Sequence, residues 1–346
     1  MKLALDASYS LGQNLTGVGV YSRELLWGFS TAHPEMDFRY YYRLHRFREA
    51  CKESLPPNVR RRILSDISFL PAFDLFHGLN QRLPGRRMKR AISTFHDLFV
   101  MTGEYSTPEF RARFTAQARD AAKRSDLIIC VSAFTAGQVE ELLGVEKSRL
   151  RVVHHGVRFP AANQEPLQLN REKKVILFVG ALQKRKNLGP LIRAFEQIGP
   201  DWKLVLAGSK GYGAEEILHL IETSPRRTDI ELPGYVTDDQ LMHLYANSDI
   251  FAFPSLDEGF GIPVLEAMAW GVPVLSSDRS ALPEVTGDAA LHFDPTDEDE
   301  LTFALQTLTK EEGLRRKLSQ MGMERAAQFS WETAVDQTWE VYKELF

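Results

Sequence analysis

Apolar and polar positions alternate along this chain in a repeating order. Short apolar runs of four to six residues are followed by stretches with helical spacing. Strand-like runs stand at 3–5, 38–42, 75–77, 91–95, 127–131 and 151–153, with helix-like stretches at 20–30, 108–123 and 133–143 between them. Residues 157–173 break the pattern. They hold Pro160, Asn163, Gln164, Pro166 and Asn170, the composition of a linker. The alternation then restarts, with strands predicted at 175–179, 203–207, 230–232, 250–253, 274–277 and 290–293. Helices are predicted at 188–197, 215–223, 238–246, 263–270 and 300–308. Thr237-Asp238-Asp239-Gln240 is a capping box that opens one of them. Strands alternating with helices predict parallel sheets covered on both faces. Two such blocks joined by a linker predict two doubly wound α/β domains, at 1–160 and 173–328. Ligands in such folds sit at the carboxyl ends of strands, and the cleft between two facing domains is the expected site. From 329 to 346 the chain reads as one further helix. Its stripe of Ala334, Val335, Trp339, Val341, Tyr342, Leu345 and Phe346 must pack on something.

Composition narrows the classes. The chain has 346 residues, 44% hydrophobic and 25% charged, with a net charge of −4. That is ordinary for a globular protein, and no apolar run approaches the roughly 18 residues of a spanning helix. Cys51 and Cys130 are the only cysteines, which excludes a disulfide scaffold. Cys130 lies in an apolar run and reads as a buried small hydrophobe. The first apolar stretch is too short for a secretory signal, so a cytoplasmic location is expected. Charge is uneven. Residues 1–150 hold 22 basic and 16 acidic side chains, and residues 39–90 alone hold 13 basic and 4 acidic. Arg60-Arg61-Arg62 and Arg86-Arg87-Met88-Lys89-Arg90 supply most of that excess. Such a stretch is either a solvated face or one drawn to an anionic membrane or a phosphorylated acceptor. It has no zinc spacing and no aromatic motif of an RNA-binding module, so nucleic acid is not expected.

Candidate chemistry concentrates after the strands. The most informative segment is Leu256-Asp257-Glu258-Gly259-Phe260-Gly261-Ile262-Pro263-Val264-Leu265-Glu266. Gly259 and Gly261 allow close backbone approach, and Pro263 stands where a helix begins. Amides there suit an anion or sugar hydroxyls. Glu258 and Glu266, two carboxylates toward one cleft, suit a ligand with many hydroxyls. Lys184-Arg185-Lys186 follows the first strand of the second block, where adjacent cations call for an anion. His96-Asp97 follows a strand of the first block, and Thr16-Gly17-Val18-Gly19 precedes a helix as a flexible turn. Ser22 stands where a dinucleotide fingerprint needs its third glycine.

The segment from Glu258 to Glu266 resembles the Glu-x7-Glu signature of the retaining glycosyltransferases of family 4, which have the GT-B fold. The resemblance runs along essentially the whole chain and is strongest over 175–295. It implies that Glu266 takes the ribose hydroxyls of a donor nucleotide, that Glu258 contacts the transferred sugar, and that the amides of Gly259, Phe260, Gly261 and Ile262 surround sugar and diphosphate. It assigns phosphate contacts to Arg185 and Lys186, with Ala181 a departure where many members carry a further Arg. It implies that His96 and Asp97 line the sugar from the first domain, Asp97 orienting the ring or holding the loop. Gly17 and Gly19 would face the diphosphate and acceptor, with Tyr235 and Val236 against the base. It also implies that the C-terminal helix crosses back to the first domain.

The expected reaction is a retaining transfer of a hexose from a nucleotide-diphosphate sugar to an acceptor hydroxyl on a glycan or lipid-linked acceptor. No second carboxylate stands clearly as a nucleophile, so a same-face substitution is expected. His96 can act as a neutral imidazole donating to a sugar hydroxyl or as an imidazolium. No metal or other cofactor is expected: Asp297-Glu298-Asp299-Glu300 reads as an acidic helix start, and no histidine shows ligand spacing. Resemblance to bacterial mannosyltransferases points to GDP-mannose, and the basic stretch at 39–90 points to peripheral membrane contact and a lipid-linked acceptor, which suits polysaccharide or lipopolysaccharide assembly. Three alternatives stay open: a UDP-sugar donor, a nucleotide-sugar epimerase, or an inactive nucleotide-binding relative.

Overall fold

In the computed structural model, which describes residues 2–12, 15–64, 73–86, 88–158 and 172–346, the apolar runs become the strands of two parallel sheets. The chain divides into two compact units. Unit 1 is Met1–Gly156 with Ser330–Phe346, and unit 2 is Val157–Phe329. The linker residues at 159–171 and Arg87 of the basic run lie outside the described residues.

Unit 1 begins β1 (Lys2–Asp6), α1 (Gly17–Ala32), β2 (Asp37–Arg43), α2 (Leu44–Ala50) and β3 (Val59–Leu64). It continues β4 (Leu75–Gly78), β5 (Ala91–Phe95), α3 (Phe99–Thr102), α4 (Pro108–Arg124), β6 (Leu127–Cys130), α5 (Ala133–Leu143) and β7 (Leu150–Val152). The sheet order is β3-β2-β1-β4-β5-β6-β7, all parallel. The central strands are buried at almost every position, as expected for a sheet covered on both faces.

β3 is absent from the sequence prediction. Arg60, Arg61 and Arg62 interrupt the apolar pattern there, because β3 is an edge strand whose charged side chains blunt the edge. Much of the basic stretch is paired inside unit 1. Arg60 and Arg39 reach Asp37 at 3.6 and 3.7 Å, Arg43 reaches buried Asp6 at 3.2 Å, and Arg46 reaches Glu49 at 3.3 Å. Cys130 is fully buried in the sheet, as its apolar run predicts.

Unit 2 runs β8 (Lys174–Val179), α6 (Leu188–Glu196), β9 (Trp202–Ala207), α7 (Ala214–Thr223), β10 (Ile230–Gly234), α8 (Asp238–Ala246) and β11 (Ile250–Phe253). Then come α9 (Ile262–Ala269), β12 (Val274–Ser277), α10 (Leu282–Thr286), β13 (Ala290–Phe293), α11 (Glu298–Lys310) and α12 (Glu312–Ala326). The sheet order is β10-β9-β8-β11-β12-β13, again all parallel. Renumbered from one, this is the 3-2-1-4-5-6 order of the doubly wound nucleotide-binding fold. The order reverses between β8 and β11, and the crevice beyond their carboxyl ends is where this fold holds ligands. The Thr237 capping box forms in full, and Ser132 and Asp297 cap their helices as well.

The last helix, α13 (Trp331–Lys343), belongs to unit 1. Its apolar stripe packs on α1, where a Cβ on Gly28 would meet Val335 Cγ2 at 2.3 Å. Trp339 stacks on His33 with ring centroids 3.6 Å apart. The stripe ends before Phe346, which is largely exposed under the guanidinium of Arg90.

Candidate functional site

In unit 2, Lys184–Lys186 follow β8 as one 3₁₀ turn, closed by Asn187 in the left-handed region at φ 55°. Asn tolerates that conformation better than most residues, and its side chain donates to the Pro295 carbonyl at 2.8 Å. The turn is pinned to the segment after β11 through backbone: the Leu256 amide donates to the Arg185 carbonyl at 2.8 Å. Two loops at the strand-order reversal are thereby fixed to each other.

Between them sits Glu258, buried. Lys186 Nζ donates to its Oε1, and Arg185 approaches the same oxygen at 2.8 Å while donating to the Asp257 carbonyl at 2.6 Å. Lys186 also lies 4.5 Å over the Phe253 ring. Burial alone would raise the Glu258 pKa, but the two cations outweigh it and hold the carboxyl at about 2. Lys184 points outward and is exposed. The cation run therefore has a resident counter-ion, a carboxylate of the same unit, where sequence reasoning called for an external anion. Two cations on one carboxylate leave net positive charge at the sheet's carboxyl edge.

Gly261 stands at the N-cap of α9 at φ 108°, and a Cβ there would meet Leu282 Cδ2 at 2.8 Å. Only glycine suits that corner. Phe260 is buried edge-on to Phe329, at 6.0 Å, so its side chain serves the core of unit 2. Ile262 is buried at the first turn of α9. At the tip of β10, Tyr235 is 40% exposed and Val236 half-buried. Gly208 crosses so close to the tip of β8 that a Cβ would fall 1.9 Å from the Gly180 carbonyl oxygen.

Glu266 lies in a separate network. It is 1% exposed. Arg158 Nε donates to Oε1 at 2.8 Å, and Tyr245 Oη donates to Oε2 at 2.9 Å. Arg158 also donates to Asp238 at 3.0 Å. Burial dominates and raises the Glu266 pKa, with Arg158 and Tyr245 opposing. The two carboxylates of the signature thus have opposite electrostatic characters.

In unit 1, Gly17 and Gly19 form the first turn of α1 rather than a loop. A Cβ on Gly19 would meet the Tyr9 carbonyl oxygen at 2.9 Å, so packing alone requires glycine there. His96 is buried beyond β5, with Asp97 half-buried after it. His96 Nε2 donates to the Leu79 carbonyl at 2.9 Å, and the Tyr21 ring stands edge-on at 4.6 Å. The ring is thus oriented by Leu79 and Tyr21. Burial lowers its pKa to about 4, which selects neutral imidazole over imidazolium near neutral pH. Because the N–H is committed to Leu79, Nδ1 carries the lone pair. The ring can accept from a hydroxyl there, which reverses the expected donor role.

Behind His96 runs a buried hydrogen-bond chain. Tyr342 of α13 meets His77 Nδ1 at 2.6 Å, His77 Nε2 meets Thr94 at 2.8 Å, and Thr94 meets Tyr21 at 2.8 Å. Burial depresses the His77 pKa to about 3, so the ring is neutral. The reverse tautomer would leave the Tyr342 proton without an acceptor among the described residues, so Tyr342 donates to Nδ1 and Nε2 donates to Thr94.

Comparison with known proteins agrees with this architecture. The family model for glycosyl transferases group 1 matches residues 161–325, and that for glycosyltransferase family 4 matches residues 19–159. O-antigen chain mannosyltransferase B of Escherichia coli is 32% identical over 284 residues, covering 78% of this chain and 74% of that protein. The chain belongs to glycosyltransferase family 4. It is a glycosyltransferase by that membership. It is also 29% identical to the E. coli serotype-specific mannosyltransferase WbdA, of which it spans only 32%. Among solved structures, sucrose-phosphate synthase of Thermosynechococcus elongatus superposes with a TM-score of 0.80 at 20% identity, covering 100% of this chain and 99% of that one. WaaG, involved in lipopolysaccharide biosynthesis, gives 0.75 at 16% identity, covering 98% of each chain. At such identities these likenesses speak for the GT-B fold alone. No helix among the described residues is long and apolar enough to cross a membrane.

Sequence reasoning passed over Arg158, Tyr245 and Asp238 around Glu266, and His77, His155 and Tyr342 behind His96. Arg158 read as linker. His155, which stacks 5.6 Å from His96, was weighed only as a metal ligand. The signal for Tyr342 was present in the apolar stripe of the last helix.

Proposed function

We propose that this family 4 glycosyltransferase moves a mannosyl group from GDP-mannose, with retention of anomeric configuration, to a hydroxyl of a glycan or lipid-linked acceptor in polysaccharide or lipopolysaccharide assembly. The observation that carries the reading is the Arg185–Lys186–Glu258 cluster, two cations fixed by backbone at the strand-order reversal of unit 2. The mannose assignment leans on the relatives, O-antigen chain mannosyltransferase B above all. A second reading keeps a UDP-sugar donor, because the same two cations meet the diphosphate of either nucleotide.

In this reading the bond from the sugar C1 to the diphosphate breaks while a new bond to the acceptor oxygen forms on the same face. The acceptor proton passes to the departing phosphate oxygen. Negative charge grows on the diphosphate, and Arg185 and Lys186 stabilise it more in the transition state than in the ground state. Glu258, ionised at every working pH, positions both cations and contacts the sugar. Glu266 takes the ribose hydroxyls. The amides of Gly259, Phe260, Gly261 and Ile262 line the diphosphate, Tyr235 and Val236 the base, and Gly17 and Gly19 the acceptor side. His96 accepts from a sugar hydroxyl through Nδ1, with Asp97 beside it. No metal takes part, so activity persists in chelator. Exposed cations of the 39–90 region, Arg60 and Lys89 among them, meet an anionic membrane surface.

A thermal-shift panel with GDP, UDP, ADP and their sugar conjugates tests the donor. A ligand that binds only the native state raises its melting temperature. A selective shift with GDP and GDP-mannose is expected, and a selective shift with UDP moves the reading to the UDP-sugar donor. No shift at millimolar nucleotide overturns both. Donor incubated alone must yield no epimer, and acceptor-dependent release of nucleotide separates the enzyme from an inactive relative.

A further inference from the structure

We propose that Arg158 is a positioning residue for nucleotide recognition: its guanidinium holds the Glu266 carboxylate as the anion that takes a cis-diol, the paired hydroxyls of a donor ribose. This inference rests on the proposed donor role of Glu266. Val157 and Arg158 are the first residues of unit 2, so the segment by which the chain enters this unit also completes its carboxylate site.

The geometry is specific. Arg158 Nε takes one oxygen of Glu266 and Tyr245 takes the other, at 2.8 and 2.9 Å. Each carboxylate oxygen has about two lone-pair sites and takes one side-chain donor, so a hydroxyl that displaces the cover of this buried carboxylate finds a second site on each. Two oxygens presented side by side match two adjacent hydroxyls. Asp238 receives a second Arg158 nitrogen at 3.0 Å and fixes the guanidinium from α8. The charged and titratable groups acting on Glu266 are Arg158 from the entering segment, and Tyr245 and Asp238 from α8. Only Arg158 is a cation. Burial and Asp238 favour the protonated acid, and a protonated carboxyl presents one acceptor fewer to a diol. Without Arg158 the carboxyl takes up its proton at a higher pH, and diol recognition becomes a function of pH.

The test is calorimetric titration of GDP and UDP into the full chain between about pH 6 and about pH 9, for wild type, Arg158→Met, Arg158→Lys, Glu266→Gln and the double variant Arg158→Met/Glu266→Gln. Wild type and the Lys variant should share one profile, set by the nucleotide's own phosphate ionisation. The Met variant should lose about tenfold or more in affinity at the acid end, the scale of a lost charged hydrogen bond, and recover as pH rises. In the Glu266→Gln background the Met substitution should add no pH dependence. A Met variant with wild-type affinity and the wild-type pH profile overturns the proposal. So does a pH-independent loss that persists in the Glu266→Gln background, which marks plain packing. If the Met variant does not fold, Arg158→Gln carries the same comparison. Wild type that binds neither nucleotide sinks the donor reading itself. Wild type whose binding depends on Glu266 but not on Arg158 sinks this inference alone.

Discussion

The hydrogen-bonded chain behind His96 in unit 1 is built from neutral groups, with the Arg43–Asp6 pair apart from it at the tips of β1 and β2, whereas the centre around Glu258 and Glu266 in unit 2 is built from ions. In unit 1, Tyr342, His77, Thr94 and Tyr21 form one hydrogen-bonded chain, and burial keeps His77 and His96 uncharged near neutral pH. In unit 2, Arg185 and Lys186 share Glu258, and Arg158 bridges Glu266 and Asp238. The two sheets share the order 3-2-1-4-5-6, with a seventh strand added at the edge of unit 1, so topology does not explain the contrast. Side chains placed after equivalent strands do. Neutral chains hold position without attracting charge, which suits a surface that reads hydroxyls. Paired ions can exchange one partner for another, which under the proposed function suits a surface that receives a diphosphate.

The largest effect that would sharpen this contrast is expected at Glu258. Glu258→Ala leaves buried Lys186 and partly buried Arg185 without their counter-ion, and breaking a buried pair this way costs about 3–5 kcal/mol. Denaturant unfolding should show that loss, with hydrogen exchange placing it at β11 and not at β5. Next, Lys186→Ala should lower turnover by about a hundredfold or more, the scale of one lost transition-state donor. Steady-state rates with the donor found by thermal shift check it, and near-normal rates would remove the diphosphate role. Tyr342→Phe should cost about 1–3 kcal/mol, because His77 Nδ1 is left buried and unpaired. The same exchange measurement should place this loss at β4 and β5.

Acid separates the units further. His77 and His96 have folded pKa values depressed to about 3 and about 4, against about 6.5 in the unfolded chain. Their contribution is present above about pH 6.5 and lost as pH falls through that value, at about 1.4 kcal/mol per pH unit for each ring. Glu258, depressed to about 2, contributes fully above the unfolded carboxyl value and loses this only as pH falls from about 4.3 toward 2. Exchange-protected amides of unit 1 should therefore weaken between about pH 6.5 and 5, before the Glu258 contribution begins to fade. Simultaneous weakening around Glu258 would break the comparison. The smallest effect is a control common to both units: Ser132→Ala and Asp297→Ala each remove a helix cap and should cost about 1 kcal/mol alike.

Periodicity and end signals determined most elements of this chain, though not the short helices α2 and α10. Ala91–Phe95, Ala133–Leu143, Asp238–Ala246 and Ile250–Phe253 form where the pattern predicts them, because apolar runs, caps and turn glycines act over a few residues. The family was legible for the same reason, since Glu258, Gly259, Gly261 and Glu266 stand in one short segment. β3 was not, because an edge strand has one neighbour and no need of an apolar run. What only the tertiary structure decided is which charge meets which. Arg158 reaches Glu266 across 108 positions, Lys186 reaches Glu258 across 72, and Tyr342 reaches His77 across 265. Nothing in local propensity records such distances. The protonation states of Glu258, Glu266, His77 and His96 follow from burial and from these partners, so the sequence named the signature residues while the fold added Arg158, Tyr245 and Tyr342 and set their chemistry.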